Sequence, residues 1–273
     1  MKILAIFTCY NRKYKTKKCI ETITKENLNC EFTFVVADDG STDGTYEMLQ
    51  TLMDNTNISI LRGSGGWFYS RGMNAGMNYA LQSLPHDFDY TLMINDDVEF
   101  YENCIQNMIQ QSKEQHDAVV VGAMCDDKGQ LSYGAVKYVS GYKYRKLSLD
   151  EWRIKADTFN ANCVLIPYKA FEKVGAIDPF YVHSLGDFDY GLSLKKAGYE
   201  IYQSNSFVGT CNNNSNKGTW TDTTLNRTER IKRKESIKGA PTKQWFYFLK
   251  KNFGIFGAIK GTITPFVRIM VGK

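Results

Sequence analysis

Short apolar runs alternate with stretches of helix length through the first half of the chain. The runs are Ile3–Phe7, FTFVVA at 32–37, Ile58–Leu61, YTLMI at 90–94 and AVVVGAM at 118–124. Each is too short for a helix and apolar nearly throughout, which predicts strands buried on both faces. The segments between them, about 14–27, 43–54, 71–84 and 101–116, predict helices. Strand–helix alternation of this kind predicts an α/β fold with a mostly parallel central sheet. Beyond residue 124 the pattern loosens. FNANCVLI at 159–166 predicts a strand and Tyr168–Val174 a helix stopped by Gly175. Phe188–Ala197 predicts a helix with Asp187 as N-cap and Gly198 at its end, followed by a strand at Glu200–Gln203. No internal repeat or low-complexity tract interrupts the chain.

In parallel α/β sheets ligands gather beyond the carboxyl ends of the strands. Three polar segments fall there: Thr8-Cys9-Tyr10-Asn11-Arg12, Asp38-Asp39-Gly40-Ser41-Thr42-Asp43-Gly44, and Asn95-Asp96-Asp97-Val98. Each has a plain reading as a turn or helix cap. Their meeting on one rim favours chemistry, because clustered carboxylates repel unless a cation or donor groups join them. Gly63-Ser64-Gly65-Gly66 would let backbone approach a phosphate, but it has neither dinucleotide-fold nor P-loop spacing. Arg71 and Asn74 follow, where a pyrophosphate would find a cation and a donor. Asp187 and Asp189 open a helix, either as dipole-stabilising caps or as a general base held at the rim. His86 and His116 read as surface residues, and the role of His183 is open.

Composition narrows the classes. The chain has 273 residues, 43% apolar and 23% charged, which excludes a disordered chain, a collagen and a coiled coil. The seven cysteines include no CxxC pair, so neither a zinc ribbon nor a disulfide framework is indicated. Free thiols, and an apolar run too short for a secretory leader, predict a cytoplasmic protein. No 18-residue apolar run occurs, so no membrane span is expected. The net charge of +5 is uneven. Residues 227–273 carry 12 Lys/Arg against two Glu, while residues 1–226 carry 22 basic and 27 acidic residues. A basic tail of this kind is a solvated or oligomer-contacting segment, a nucleic-acid patch or a membrane-surface patch.

TCYNR (8–12), VVADDGSTDGT (35–45), SRGMNAG (70–76), MINDDV (93–98), FNANCVLIPYKAFEKVGAIDP (159–179) and GDFDYGLSLKKAGYEIY (186–202) together resemble nucleotide-sugar-dependent glycosyltransferases of family 2, with the GT-A fold. GGWFYSRGMN, NANCVLIP and GDFDYGL are similar to a bacterial subgroup of surface-polysaccharide biosynthesis. The resemblance implies a Rossmann-like GT-A catalytic domain over 1–226, with a nucleotide-sugar half at about 1–124 and an acceptor half at about 125–226. A basic aromatic extension, 227–273, completes the chain. It further implies that Thr8, Tyr10 and Arg12 line a nucleotide pocket and that Asp38 or Asp39 accepts from the base. Asn95, Asp96 and Asp97 stand at the family's DxD-like motif, Asp97 on a divalent metal (Mn²⁺ or Mg²⁺) with Asn95 beside it. Asp187 corresponds to the catalytic base of an inverting transfer, with Asp189 as the alternative. Gly186 stands where a Glu is usual, and Val208–Asn214 lacks the usual metal-binding His.

The implied partners are a UDP, GDP or dTDP sugar and a glycan or lipid-linked acceptor. Residues 245–270 mix aromatics, aliphatics and cations without acids; they fit a peripheral contact with the inner face of the cell membrane, or packing on the domain or on a second subunit as a homodimer. Nucleic acid is not an expected partner. Two other functions compete. A nucleotidyltransferase would need a Gly/Lys-rich phosphate loop after the first strand, where CYNRKYK has no glycine. A non-catalytic nucleic-acid or membrane binder would work through the tail alone.

Overall fold

A computed structural model describes residues 1–213 and 215–272, so Asn214 of the Val208–Asn214 segment and the terminal Lys273 lie outside the described residues. Period-two alternation along the first strand decides how two layers of helices attach. That strand, β1 (Lys2–Cys9), sends Ile3, Ala5 and Phe7 into one buried cluster and Leu4 and Ile6 into another. The elements that follow are α1 (Lys13–Glu26), β2 (Glu31–Asp38), α2 (Thr45–Leu52), β3 (Asn57–Arg62), α3 (Phe68–Ser83) and β4 (Tyr90–Ile94). Next come β5 (Glu99–Phe100), α4 (Cys104–Glu114) and β6 (Val119–Cys125). Three short strands, β7 (Leu131–Tyr133), β8 (Ala135–Ser140) and β9 (Lys143–Lys146), precede β10 (Thr158–Phe159) and β11 (Cys163–Pro167). The chain ends with α5 (Tyr168–Val174), α6 (Gly186–Lys196), β12 (Ile201–Thr210), α7 (Arg227–Glu235) and α8 (Thr242–Met270).

The main sheet runs β3-β2-β1-β4-β11-β6-β12-β5, with β7 paired to β6. Strands β3, β2, β1 and β4 are parallel, and β6 and β12 are parallel to each other. Between these two groups β11 is antiparallel to both of its neighbours. The registers Cys9↔Asp38 and Cys163↔Ile94 bring the ends of β1, β2 and β4 to the same rim as the start of β11. The parallel α/β expectation therefore holds, with one reversal in the middle. Helix α1 buries Thr16, Cys19, Ile20 and Ile23, one face at helical spacing.

Several sequence expectations change. The strand expected at 159–166 divides into β10 and β11, because Asn160, Ala161 and Asn162 turn at the rim between two different sheets. The strand expected at 200–203 extends to Thr210, with Ser204 Oγ accepting from the Ala123 amide. Asp187 does not cap α6: Leu185 holds the N-cap position at φ 74° and Asp187 falls in the first turn. By length and composition α8 passes as a membrane span, contrary to expectation, yet it bends at Gly254 (φ 78°). Phe248, Leu249 and Ala258 of α8 pack with Val136, Tyr181 and Phe188 in a third buried cluster.

Phe34 is fully buried, edge-on to Phe7 at 6.4 Å and stacked on Phe32 at 5.7 Å. Phe34→Ala is expected to cost about 3–5 kcal/mol of unfolding free energy, read from urea denaturation midpoints. A loss below about 1 kcal/mol would mean that this side of the sheet is not the well-packed core described.

Candidate active site

The rim opens into a cleft of about 800 Å³. Its floor comes from the ends of β1 and β4 and the start of β11, and α6 closes one side. Tyrosines 138, 142 and 144 of the β8–β9 ribbon, with Trp245 and Phe248 of α8, form an aromatic wall that meets α6 at Phe188.

Arg12, at the junction of β1 and α1, lies between the two carboxylates that follow β4. One nitrogen, Nη1, donates to Asp96 Oδ1 and to Asp97 Oδ2, each at 2.9 Å. Thr16 Oγ1 donates to the other Asp96 oxygen at 3.3 Å. Burial pushes the Asp96 carboxyl up to about 6, against the pull of Arg12. Asp97 is more open; its Oδ1 accepts from the Cys211 thiol at 3.8 Å. Asn162 Nδ2 in turn donates to Cys211 Sγ at 3.4 Å. Burial, reinforced by Asp97, raises this thiol to about 12, so it stays protonated at neutral pH. Thr8, Tyr10 and Asn95 also line the cleft, with the Tyr10 ring half exposed.

Among the described residues no group of three His, Cys, Asp or Glu forms a preformed metal cage. The donors present are nevertheless oxygens at one end of the cleft. A hard divalent cation is satisfied by one or two carboxylates when phosphate oxygens and water complete its shell. Asp97 fits that role, whereas a protonated Cys211 is a poor replacement for the usual His.

Asp39 also reaches the cleft, with both oxygens engaged. It accepts from the Gly65 amide (3.0 Å), the Trp67 amide (2.9 and 3.0 Å) and the Phe68 amide (2.9 Å). This clamp holds the glycine-rich loop and carries Phe68 at φ 54°, outside the usual range for a bulky residue. Asp38 stands behind the cleft instead. Its Oδ1 accepts from the Ser41 amide, and Arg62 lies 3.5 Å from its Oδ2. The nucleotide role open to Asp38 in the sequence has no support in this position.

Arg71 and Asn74 are likewise absent from the lining. The turn of α3 leaves Arg71 exposed elsewhere, and Asn74 donates to the Ile177 carbonyl at 2.6 Å. The pyrophosphate role expected for both is therefore not met by this geometry.

The two aspartates of α6 separate sharply. Asp187 lines the cleft, its Oδ2 accepting weakly from the Ala161 amide (3.3 Å) and its Oδ1 from the Phe188 amide (2.9 Å). With no cation against it among the described residues, burial raises its carboxyl to about 6. Asp189 is buried on the far side, where Oδ2 accepts from Lys251 Nζ (2.6 Å) and Oδ1 from Asn252 Nδ2 (2.9 Å). It anchors α6 to α8 and does not line the cleft, so the geometry favours Asp187 over Asp189 as the base. The Gly186 departure also has a physical cause: a Cβ there would come within 2.4 Å of Ser70 Oγ, which donates to the His183 carbonyl.

The aromatic wall was not anticipated. Tyr138 meets Tyr144 edge-on at 6.1 Å, Tyr144 meets Phe188 at 5.2 Å, and Tyr142 meets Trp245 at 6.0 Å. The signal available was tyrosine on both sides of Ser140-Gly141, a hairpin turn with Gly141 at φ 54°. His183 also lines the cleft, and burial near Lys238 lowers its pKa. Its Nδ1 and the hydroxyls of Tyr69 and Tyr138 are buried without a hydrogen-bond partner among the described residues. Phe68 lines the cleft, and Trp67 and Trp220 do not.

The sequence profile of the family described as Glycosyl transferase family 2 matches residues 5–175. The chain belongs to glycosyl transferase family 2. No curated protein sequence matches it. Solved structures share the GT-A fold at low identity. S. aureus TarS aligns with TM-score 0.58 and 15% identity, over 93% of this chain and 44% of TarS. Its 1–349 fragment in complex with UDP-GlcNAc gives 0.60 and 15%, over 99% and 83%. The mannosyltransferase PcManGT from Pyrobaculum calidifontis, in complex with GDP-Man and Mn²⁺, gives 0.61 and 12%, over 99% and 73%. This family member therefore spans less than half the length of intact TarS.

Two substitutions probe the site's framework. Asp39→Asn puts an amide donor against backbone N–H groups and is expected to cost about 1–3 kcal/mol, measured by urea denaturation. Gly186→Glu, which supplies the carboxylate usual in the family, is expected to destabilise by about 1–3 kcal/mol through overpacking against Ser70. A Gly186→Glu protein as stable as the parent would overturn the steric account of this position.

Proposed function

We propose that the protein is an inverting glycosyltransferase that moves a sugar from a nucleoside-diphosphate donor to a hydroxyl of a glycan or lipid-linked glycan. The observation that carries the reading is one cleft holding a cation-paired carboxylate couple, Asp96 and Asp97, together with a half-buried carboxylate, Asp187, that has only backbone donors among the described residues. Two carboxyl environments this different suit two different tasks.

Asp187 takes the proton of the acceptor hydroxyl as that oxygen bonds to the anomeric carbon. The bond from this carbon to the diphosphate oxygen breaks, and its electron pair leaves with the nucleoside diphosphate. Attack opposite the departing group inverts the anomeric centre. Arg12 already sits beside Asp96 and Asp97, where negative charge on the departing diphosphate would meet a guanidinium. Asp97, with Asn95 beside it, would hold Mn²⁺ or Mg²⁺, which when bound neutralises further charge on the diphosphate. Thr8 and the exposed Tyr10 ring suit the nucleoside, with UDP, GDP and dTDP all compatible. Asp39 serves the nucleotide indirectly, by fixing the loop. The aromatic wall suits a sugar face on the acceptor side, since apolar C–H faces of pyranoses stack on rings.

The matched sequence pieces support placing the chain in bacterial surface-polysaccharide assembly. Seven unpaired cysteines, six of them buried, support a reducing, cytoplasmic site of action.

Transfer rates measured across pH test the base. Because only the ionised Asp187 accepts a proton, kcat/KM is expected to climb about tenfold per pH unit below about 6 and flatten above it. Asp187→Asn is expected to lower kcat by about 10² to 10⁴ while leaving donor affinity unchanged. Wild-type turnover in that variant would refute the assignment.

A further inference from the structure

We propose that the outer face of the second arm of α8, residues 255–270, docks on an anionic phospholipid bilayer and brings the cleft to the membrane surface. The arm begins after the bend at Gly254. Its inner face is fixed on the domain. Ala258, Gly261 and Ile269 are buried, Trp245 Nε1 donates to the Gly261 carbonyl at 2.9 Å, and Tyr142 meets Thr264 at 3.3 Å. A Cβ at Gly261 would strike Leu249 and Tyr142, so the packing there is close.

The opposite face is apolar and open. Phe256 is 85% exposed, and Ile259, Ile263, Val267 and Met270 each stand about half exposed. At 100° per residue these five positions fall within about 80° of arc, directly across from the buried face. A helix apolar on both sides, with one side covered by its own domain, leaves a continuous stripe without a partner. Lys260 is exposed beside the stripe, whereas Arg268 lies about 100° further round the helix, over the Trp220 ring at 5.6 Å.

Charge selects the occupant. No Asp or Glu follows Glu235, so every charged side chain beyond it is basic. A second copy meeting this face through a two-fold axis would set cation against cation. An anionic bilayer accepts both the stripe and its cations. The arm lies flat rather than spanning: 16 residues rise only about 24 Å against a hydrocarbon core of about 30 Å, and the inner face is already committed.

The consequence for function rests on the glycosyltransferase reading. The first arm of α8 supplies Trp245 and Phe248 to the cleft wall, and Tyr142 touches both the cleft and the second arm. A docked stripe would therefore present the acceptor half of the cleft to a lipid-linked glycan held in that leaflet.

Vesicle co-sedimentation of the full chain tests the docking without reference to activity. Vesicles of zwitterionic lipid alone are compared with vesicles containing roughly one-third anionic lipid. Binding is expected on the anionic vesicles and weaker by about tenfold or more for Phe256→Asp with Ile263→Asp. Lys260→Glu, which keeps the stripe, is expected to bind more weakly and with less salt dependence. Thermal unfolding of both variants at the parent temperature shows that the fold is kept. Absence of binding to anionic vesicles, or binding unchanged in the stripe variant, overturns the proposal. A dimer that the stripe variant converts to monomer, with no vesicle binding, overturns it in favour of a second copy. Transfer to a water-soluble acceptor is expected to be unchanged in the stripe variant, so failure of docking and failure of the catalytic reading are separate results.

Discussion

One guanidinium between two carboxylates organises the reaction end of this molecule. Asp96 and Asp97 are neighbours in sequence at the end of β4, and Asp96 is nearly buried. Two such groups repel each other and lose hydration together. Arg12, arriving from the end of β1, donates one nitrogen to both. The same contact ties two parallel strands together at the rim, so electrostatic satisfaction and cleft shape have one source. For the proposed diphosphate, a cation is already in position and an Asp97 oxygen is left to a weak thiol donor.

Asp187 is the counterpart. It sits in the same cleft with backbone donors, and desolvation raises its carboxyl against the pull of those donors. Its position depends on contacts some distance away. Gly186 allows α6 to press against Ser70 of α3. Asp189, two residues on, is held by Lys251 and Asn252 of α8. The basic tail thus steadies the helix that carries the proposed base, and its rings complete the cleft wall. A segment that composition marks as a charged appendage is, in packing terms, part of the site.

The strands of the first half were legible because each is an apolar run bounded by polar residues, and the rim followed from strand direction. β12 was cut short in the sequence because Ser204, Asn205 and Ser206 look like a loop, whereas Ser204 hydrogen-bonds within the sheet. Arg71 and Asn74 have suitable chemistry, but helix phase turns them from the cleft, and phase at a helix start is not set by residue type. Asp187 and Asp189 are indistinguishable in sequence. What separates them is Lys251, 62 residues downstream. The tyrosines of β8 and β9 escaped notice because two short strands in a small second sheet leave only a weak alternation.

Calorimetric titration of UDP, GDP and dTDP, each with and without Mn²⁺, into the intact chain and into Asp97→Asn tests the central claim most directly. One nucleoside diphosphate should bind the parent about tenfold or more tightly with the metal, and that gain should vanish in the variant. The same metal-dependent gain in Asp97→Asn, or no binding of any of the three to the parent, would contradict the account of the carboxylate pair.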